Sequence, residues 1–320
     1  MNAPAQVGTT PDRTDASSAP PRGGAGSQRT PRSRRHSSDK PRRNVLVTVL
    51  MLCALAYFLL PLYWVAIAST KSNADLFSTF GLWFADSNSF VENVKAVFTT
   101  QDGVFALWMR NSVVYSVVSA VGAALLATAA GYAFAKYRFP GGDALFSVVL
   151  GAVMIPMTAL AIPTYLLFAN ANLTNTPWAI ILPSLVSPFG VYLMRVYAAG
   201  AVDDTLIEAG RVDGAGELRI LFQVSARLLV PGLVTVLLFQ LVATWNNYFL
   251  PLIMLNSPEL YPLTVGLAQW QGAAAGGSGS SPLFSSVITG SFISIIPLVV
   301  AFLFLQRYWQ SGLATGGVKG

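Results

Sequence analysis

The sequence predicts an all-α polytopic membrane protein whose chain crosses the bilayer six times. Three observations predict it. Of the 320 residues, 53% are hydrophobic and only 11% charged, and the mean hydropathy is +0.55, whereas about a quarter of a soluble domain is charged. The apolar residues gather in six runs, 45–68, 112–135, 145–168, 178–197, 229–250 and 284–305, each near the length of about 20 residues that crosses a bilayer. All fourteen acidic residues lie outside those runs.

Residues 1–43 come first. They hold nine Lys/Arg and three Asp, and the rest of the chain is balanced. The high isoelectric point therefore describes a tail and no nucleic-acid partner. The tail is rich in Pro, Ser, Gly and Arg, too polar to fold alone. Its arginines either orient the first helix or rest on anionic lipid. The remaining residues, 44–320, form one transmembrane domain.

Run 45–68 is interrupted only by Pro61. Ala66, Ile67 and Ala68 resemble a signal-peptidase site, but the apolar run exceeds a signal core and a polytopic chain follows, which favours a retained helix. Cys53 has no partner and carries no redox information. In run 112–135, Gly122, Ala123, Ala124, Ala127, Ala130 and Gly131 allow close helix packing. Pro156 and Pro163 fall in the third run, Pro183 and Pro188 in the fourth, and Pro297 in the sixth. These prolines set packing geometry or act as hinges. Outside the runs, the small-residue stretch 272–281 reads as a flexible loop.

Orientation follows from Lys and Arg. With the N-terminus inside, cytoplasmic segments collect 17 of the 20, and the external ones hold only Lys71, Lys95 and Arg110. Both termini and the segment 202–231 are then cytoplasmic.

The runs contain no carboxylate and the only histidine is His36 in the tail. A carrier coupled to protons or sodium commonly keeps such a group at membrane depth. There is no Gly-x-x-x-x-Gly-Lys-Ser/Thr phosphate loop, no Cys/His cluster for a metal and no cofactor motif. Catalysis lacks its parts, so the chain reads as a non-enzymatic helical bundle. The most polar intramembrane group is Gln240, Trp245, Asn246, Asn247 and Tyr248. Amides and indoles suit sugar hydroxyls and ring faces, and they equally suit an interfacial belt with interhelical hydrogen bonds.

Segment 202–231 is the longest polar interruption between two runs on that side, with five of the fourteen acids. It predicts two short helices around a glycine corner at Gly214 or Gly216. Thr205 and Glu208 have capping-box spacing. A simple reversal needs far fewer residues, so the segment is shaped to present a surface.

Glu208, Ala209 and Gly210, followed after three residues by Gly214, resemble the EAA loop of ATP-binding-cassette importer permeases. Gly210 stands where that pattern has a third small residue, alanine. Val224 stands for its isoleucine, and Ala226 and Arg227 for its Leu-Pro, with Pro231 four residues on. The stretches Gly131 to Ala135 with Phe139, Pro140 and Gly141, then Asp213 to Ala215, Trp245 to Asn247, and the tail Gly312 to Gly320 are similar to carbohydrate importers of the maltose-permease type. The resemblance runs from about Val45 to the end. It implies a type I importer permease paired with a second, different permease subunit, two cytoplasmic ATP-binding subunits and an extracellular solute-binding lipoprotein, in a bacterial plasma membrane. It implies coupling to the ATPases through Glu208, Ala209, Gly210, Asp213, Gly214 and Ala215. It also implies that the tail Gly312 to Gly320, which has no fold of its own by composition, enters the ATPase interface. The cargo implied is a sugar or oligosaccharide. The alternative is a secondary carrier for a neutral polar solute.

Overall fold

A computed structural model describes residues 45–276 and 284–316. The basic tail, residues 277–281 of the glycine-rich stretch, and Gly317 to Gly320 lie outside the described residues. Those described are helical or irregular, with no strand among them. The helices are α1 (Val45–Ala68), α2 (Asp75–Ser78), α3 (Phe90–Thr99), α4 (Val104–Lys136), α5 (Gly142–Val153), α6 (Ala161–Asn170) and α7 (Trp178–Ser184). They continue with α8 (Pro188–Ala201), α9 (Asp204–Val212), α10 (Glu217–Arg219), α11 (Ala226–Trp245), α12 (Phe249–Met254), α13 (Leu263–Gly276) and α14 (Phe284–Gly316).

Among the described residues, five stretches are long and apolar enough to cross a membrane: Val45–Ala68, Phe90–Lys136, Trp178–Ala201, Glu217–Trp245 and Phe284–Tyr308. The third expected crossing, 145–168, is a helix broken in two. Between α5 and α6 the chain tightens into three-residue turns, with Ile155 N donating to Ala152 O and Ala159 N to Pro156 O. Pro156 has no N–H and disfavours helix at Ile155. The fourth crossing breaks between α7 and α8 just before Pro188, and Ser187 Oγ accepts from Gly190 N to restart it. The fifth ends at Trp245, short of the expected residue 250, and resumes as α12 after an irregular turn.

Two other elements differ from expectation. The glycine-rich 272–276 is not loop but the end of α13. The last crossing does not stop near residue 305, because α14 runs on to Gly316. Leu305, Gln306 and Arg307 are good helix formers with no proline after them.

α4 lies between α8 and α11. Its small residues permit this: Ala120, Ala123, Ala124 and Ala127 are buried. A Cβ on Gly131 would stand 2.5 Å from Met194 Cβ and 2.7 Å from Arg195 N, so only glycine fits. One apolar cluster contains Trp108, Trp270, Phe105, Tyr261 and Trp245. A second contains Tyr132, Met194, Ala198, Ile207, Ile220 and Leu229. Within a bilayer such clusters are held by close van der Waals packing, since lipid tails are as apolar as leucine and supply no hydrophobic drive between helices.

Candidate functional site

The second cluster carries the polar segment 202–231. α9 begins at a cap, and the cap is Asp203, not the expected Thr205. Asp203 Oδ1 accepts from Thr205 N and from Thr205 Oγ1, both at 2.9 Å. An aspartate two residues earlier wins because its carboxylate reaches a free first-turn amide while the helix dipole favours its charge. Glu208 is thereby released from the capping role and lies exposed.

α9 ends in a Schellman corner. Ala215 N donates to Gly210 O at 2.9 Å and Gly214 N to Arg211 O at 3.0 Å. Gly214 has φ +77°, the left-handed conformation this corner requires. Gly216 has φ −72° and needs no glycine freedom. Gly210 faces Ile220, whose Cγ1 would be 3.1 Å from an added Cβ. That tight fit accounts for glycine in place of alanine at this position. Ile207 and Ile220 are buried and pin the segment to α4 and α8. A π-helical turn, Ile220–Ser225, then leads into α11.

Charged groups tie the segment at its edges. Lys136 Nζ, its side chain 6% exposed, meets Asp204 Oδ1 at 2.8 Å. Glu217 accepts from Arg211 Nε at 2.7 Å and from Tyr137 Oη at 2.6 Å. Burial and the Glu217 hydrogen bond push the Tyr137 phenol above its usual range, so it stays a donor. Neither Asp203 nor these pairs follow from motif spacing, although two adjacent aspartates before a helical pattern signal a cap.

Of the six motif residues, Glu208, Ala209, Asp213 and Gly214 are exposed, and Gly210 and Ala215 are half-buried. Around them stand exposed apolar side chains: Val212 is 88% exposed, Leu218 72% and Phe222 66%. The segment thus presents carboxylates and apolar groups outward and holds itself in place from beneath.

The intramembrane polar group is dispersed. Gln240 Nε2 donates to Ser184 O at 2.8 Å, satisfying a carbonyl near the break between α7 and α8. Trp245 is buried in the first cluster. Asn246 Nδ2 bonds back to Val242 O, and Tyr248 is exposed. Asn247 alone of the five lines a cavity of about 520 Å³. The breaks in the third, fourth and fifth crossings meet there, through Ile155, Thr158, Pro183, Val186, Asn247 and Phe249. Irregular backbone at membrane depth is tolerated where it is buried or lines a cavity. Sequence reading missed this convergence because proline positions do not reveal which breaks face one another.

The geometry defines a multi-pass helical membrane protein with a shaped polar segment between two crossings. Residues 123–313, which include that segment, match the family described as binding-protein-dependent transport system inner membrane component. The chain belongs to this family and is a non-enzymatic permease subunit of such an importer. It is 35% identical to the arabinooligosaccharides transport system permease protein of Halalkalibacterium halodurans, over 81% of this chain and 91% of the relative. It is 30% identical to the protein of the same description in Bacillus subtilis, over 89% of this chain and 99% of the relative. The fold is similar to a solved bacterial ABC transporter involved in the import of the acidic polysaccharide alginate. That match has a TM-score of 0.71 at 24% identity, over 83% of this chain and 95% of the other.

Proposed function

We propose that this permease carries a sugar or oligosaccharide delivered by an external solute-binding lipoprotein, as one of two different permease subunits above two ATP-binding subunits. Relatives named for arabinooligosaccharide and lactose transport support the cargo class. The observation that carries the coupling role is the outward face of 202–231, where Val212 and Leu218 stand exposed beside Glu208 and Asp213 on a segment pinned by Ile207. A partner's groove covers that face, and ATP-driven closure of the partner pair moves α9 with α4 and α8 as a two-state lever. The solute passes the cavity at the three helix breaks, with Asn247 as its polar contact.

The lysine and arginine distribution supports a cytoplasmic 202–231 and cytoplasmic termini. In a Cys53→Ser background, Glu259→Cys is then labelled from outside by an impermeant thiol reagent and Gly216→Cys is not. The function is tested by reconstituting the complex in vesicles with a panel of oligosaccharides. Uptake that tracks ATP hydrolysis and requires the binding protein is the expected result. Uptake driven by an ion gradient without ATP refutes it.

A further inference from the structure

A second cavity, of about 460 Å³, opens at the end of the molecule that carries 202–231. It lies between the end of α4, the start of α5, α8 and the start of α9, and its chemistry differs from that of the solute-pathway cavity. Its wall includes Lys136, Arg138, Asp143, Arg195 and Asp204. Lys136 and Asp204 neutralise each other. What remains is two guanidinium groups against one carboxylate. Arg195 lies over the Phe146 ring, 3.8 Å from its centroid, which fixes the guanidinium plane while its N–H groups bond no described residue. Arg138 and Asp143 likewise make no side-chain hydrogen bond among the described residues.

The same wall includes the start of α5, where Gly141 at φ +79° turns the chain into the helix. First-turn amides of a helix lack intrahelical acceptors, and they favour an anion. Gly142 N is taken by Phe139 O at 3.1 Å, so the donors left around this volume are a rigidly stacked arginine, an uncommitted arginine and the amide of Asp143, a set suited to phosphate oxygens. The volume is in the range of small-ligand sites.

We propose that this cavity binds a phosphate group, carried by the headgroup of an anionic lipid or by a free phosphate. The helix ends around the cavity mark the membrane surface, where anionic headgroups are concentrated. The site adjoins the coupling segment through Lys136–Asp204, so an occupant would steady the α4–α9 junction. Assignment to the cytoplasmic leaflet rests on the orientation proposed above. The test below does not depend on sidedness, so the two fail separately.

The full chain, purified in detergent with equimolar phosphatidylglycerol and phosphatidylcholine, is measured by native mass spectrometry. Wild type retains phosphatidylglycerol preferentially. Arg138→Gln, an exposed site that leaves the Arg195 stack intact, lowers that retention about tenfold, the size expected for a lost charge-assisted hydrogen bond. Asp143→Asn, which removes the competing carboxylate, raises it. Arg227→Gln, an exposed cation outside the cavity, leaves it unchanged. A second arm heats the chain with inorganic phosphate. A melting shift that needs Arg138, without lipid preference, assigns the site to free phosphate. Absence of both effects, or either one unaltered in Arg138→Gln, overturns the proposal.

Discussion

The two ends of the bundle are held together by opposite means. At the 256–263 end, buried side chains on α4 grip the backbone of a neighbouring segment. Trp108 Nε1 donates to Pro258 O at 2.8 Å, Asn111 Nδ2 to Glu259 O at 2.7 Å and Tyr115 Oη to Leu260 O at 3.0 Å, while Ser112 Oγ accepts from Leu263 N. Asn175 adds a second grip, its Oδ1 accepting from Asn256 N and Ser257 N. At the 202–231 end the ties are charged pairs, and Arg211 and Glu217 are each nearly half exposed. Exposed pairs contribute about 0–1 kcal/mol and weaken with salt. Buried side-chain-to-backbone bonds, once broken, leave an unsatisfied carbonyl costing about 1–3 kcal/mol. The first end is tied by buried bonds; at the other, buried Ile207 and Ile220 hold the segment while its edge ties are more exposed, and the coupling role proposed above makes that end the movable one.

The largest expected effect therefore lies at the fixed end. Asn111→Ala leaves Glu259 O and Tyr261 O without their donor and opens a gap. We expect a loss of about 2–4 kcal/mol, read as a lower melting temperature in detergent, with no change in salt dependence. A loss under about 1 kcal/mol would erase the contrast between the ends.

Next comes the corner of the movable end. Gly214→Asp puts a side chain on a residue at φ +77°. The local cost is about 1–2 kcal/mol, and aspartate tolerates this conformation better than most. Nothing lies within 4 Å of the added Cβ, so the chain still folds and inserts. Co-purification with the ATP-binding subunits falls. The α9 corner is needed for docking only if ATPase recovery drops while membrane yield holds.

How much of this was legible follows from what each feature depends on. Crossing positions depend on hydropathy over some twenty residues, which the sequence carries; their limits did not all hold, since proline cut 145–168 and the fourth crossing, the fifth ended at Trp245 and the sixth ran on past residue 305. The Gly214 corner depends on one backbone conformation that glycine advertises. The cap was misplaced by two residues because Asp203, Asp204 and Thr205 all have cap chemistry, and spacing alone does not choose between them. Gln240 and Trp245 suggested a polar pathway, but partners distant in sequence, Ser184 among them, claimed Gln240. Long-range pairings of this kind, like the grip of Asn111 on Glu259, leave no periodic trace in a single chain.

A smaller effect is expected for Tyr137→Phe. It removes the 2.6 Å hydrogen bond to Glu217 but leaves Arg211 on the same carboxylate. Since the pair is exposed, stability should fall by about 1 kcal/mol or less. ATP hydrolysis should become more salt-sensitive, because the remaining tie is purely ionic. Unchanged salt dependence would remove Tyr137 from the set of ties.

The smallest change in stability, and the sharpest test of the comparison, belongs to Glu208→Lys. The structure gives Glu208 no capping bond, since Asp203 holds the first-turn amide, and its side chain is exposed. Reversing its charge should thus move stability by only about 0.5 kcal/mol, as for surface positions generally. A small penalty from a cation on α9, near its N-terminal half, is included in that figure. If the outward face of 202–231 is a docking surface, the same substitution disrupts partner binding, because a carboxylate matched to a partner's groove is replaced by its opposite. The expected result is a chain with wild-type melting temperature and membrane yield that no longer retains the ATP-binding subunits through purification. Charge reversal at exposed Glu259, at the fixed end, should leave that retention intact. Equal retention in both variants would mean that the exposed carboxylate takes no part in docking. The coupling role would then have to rest on Val212, Leu218 and Phe222 alone, which substitution of each by serine would test.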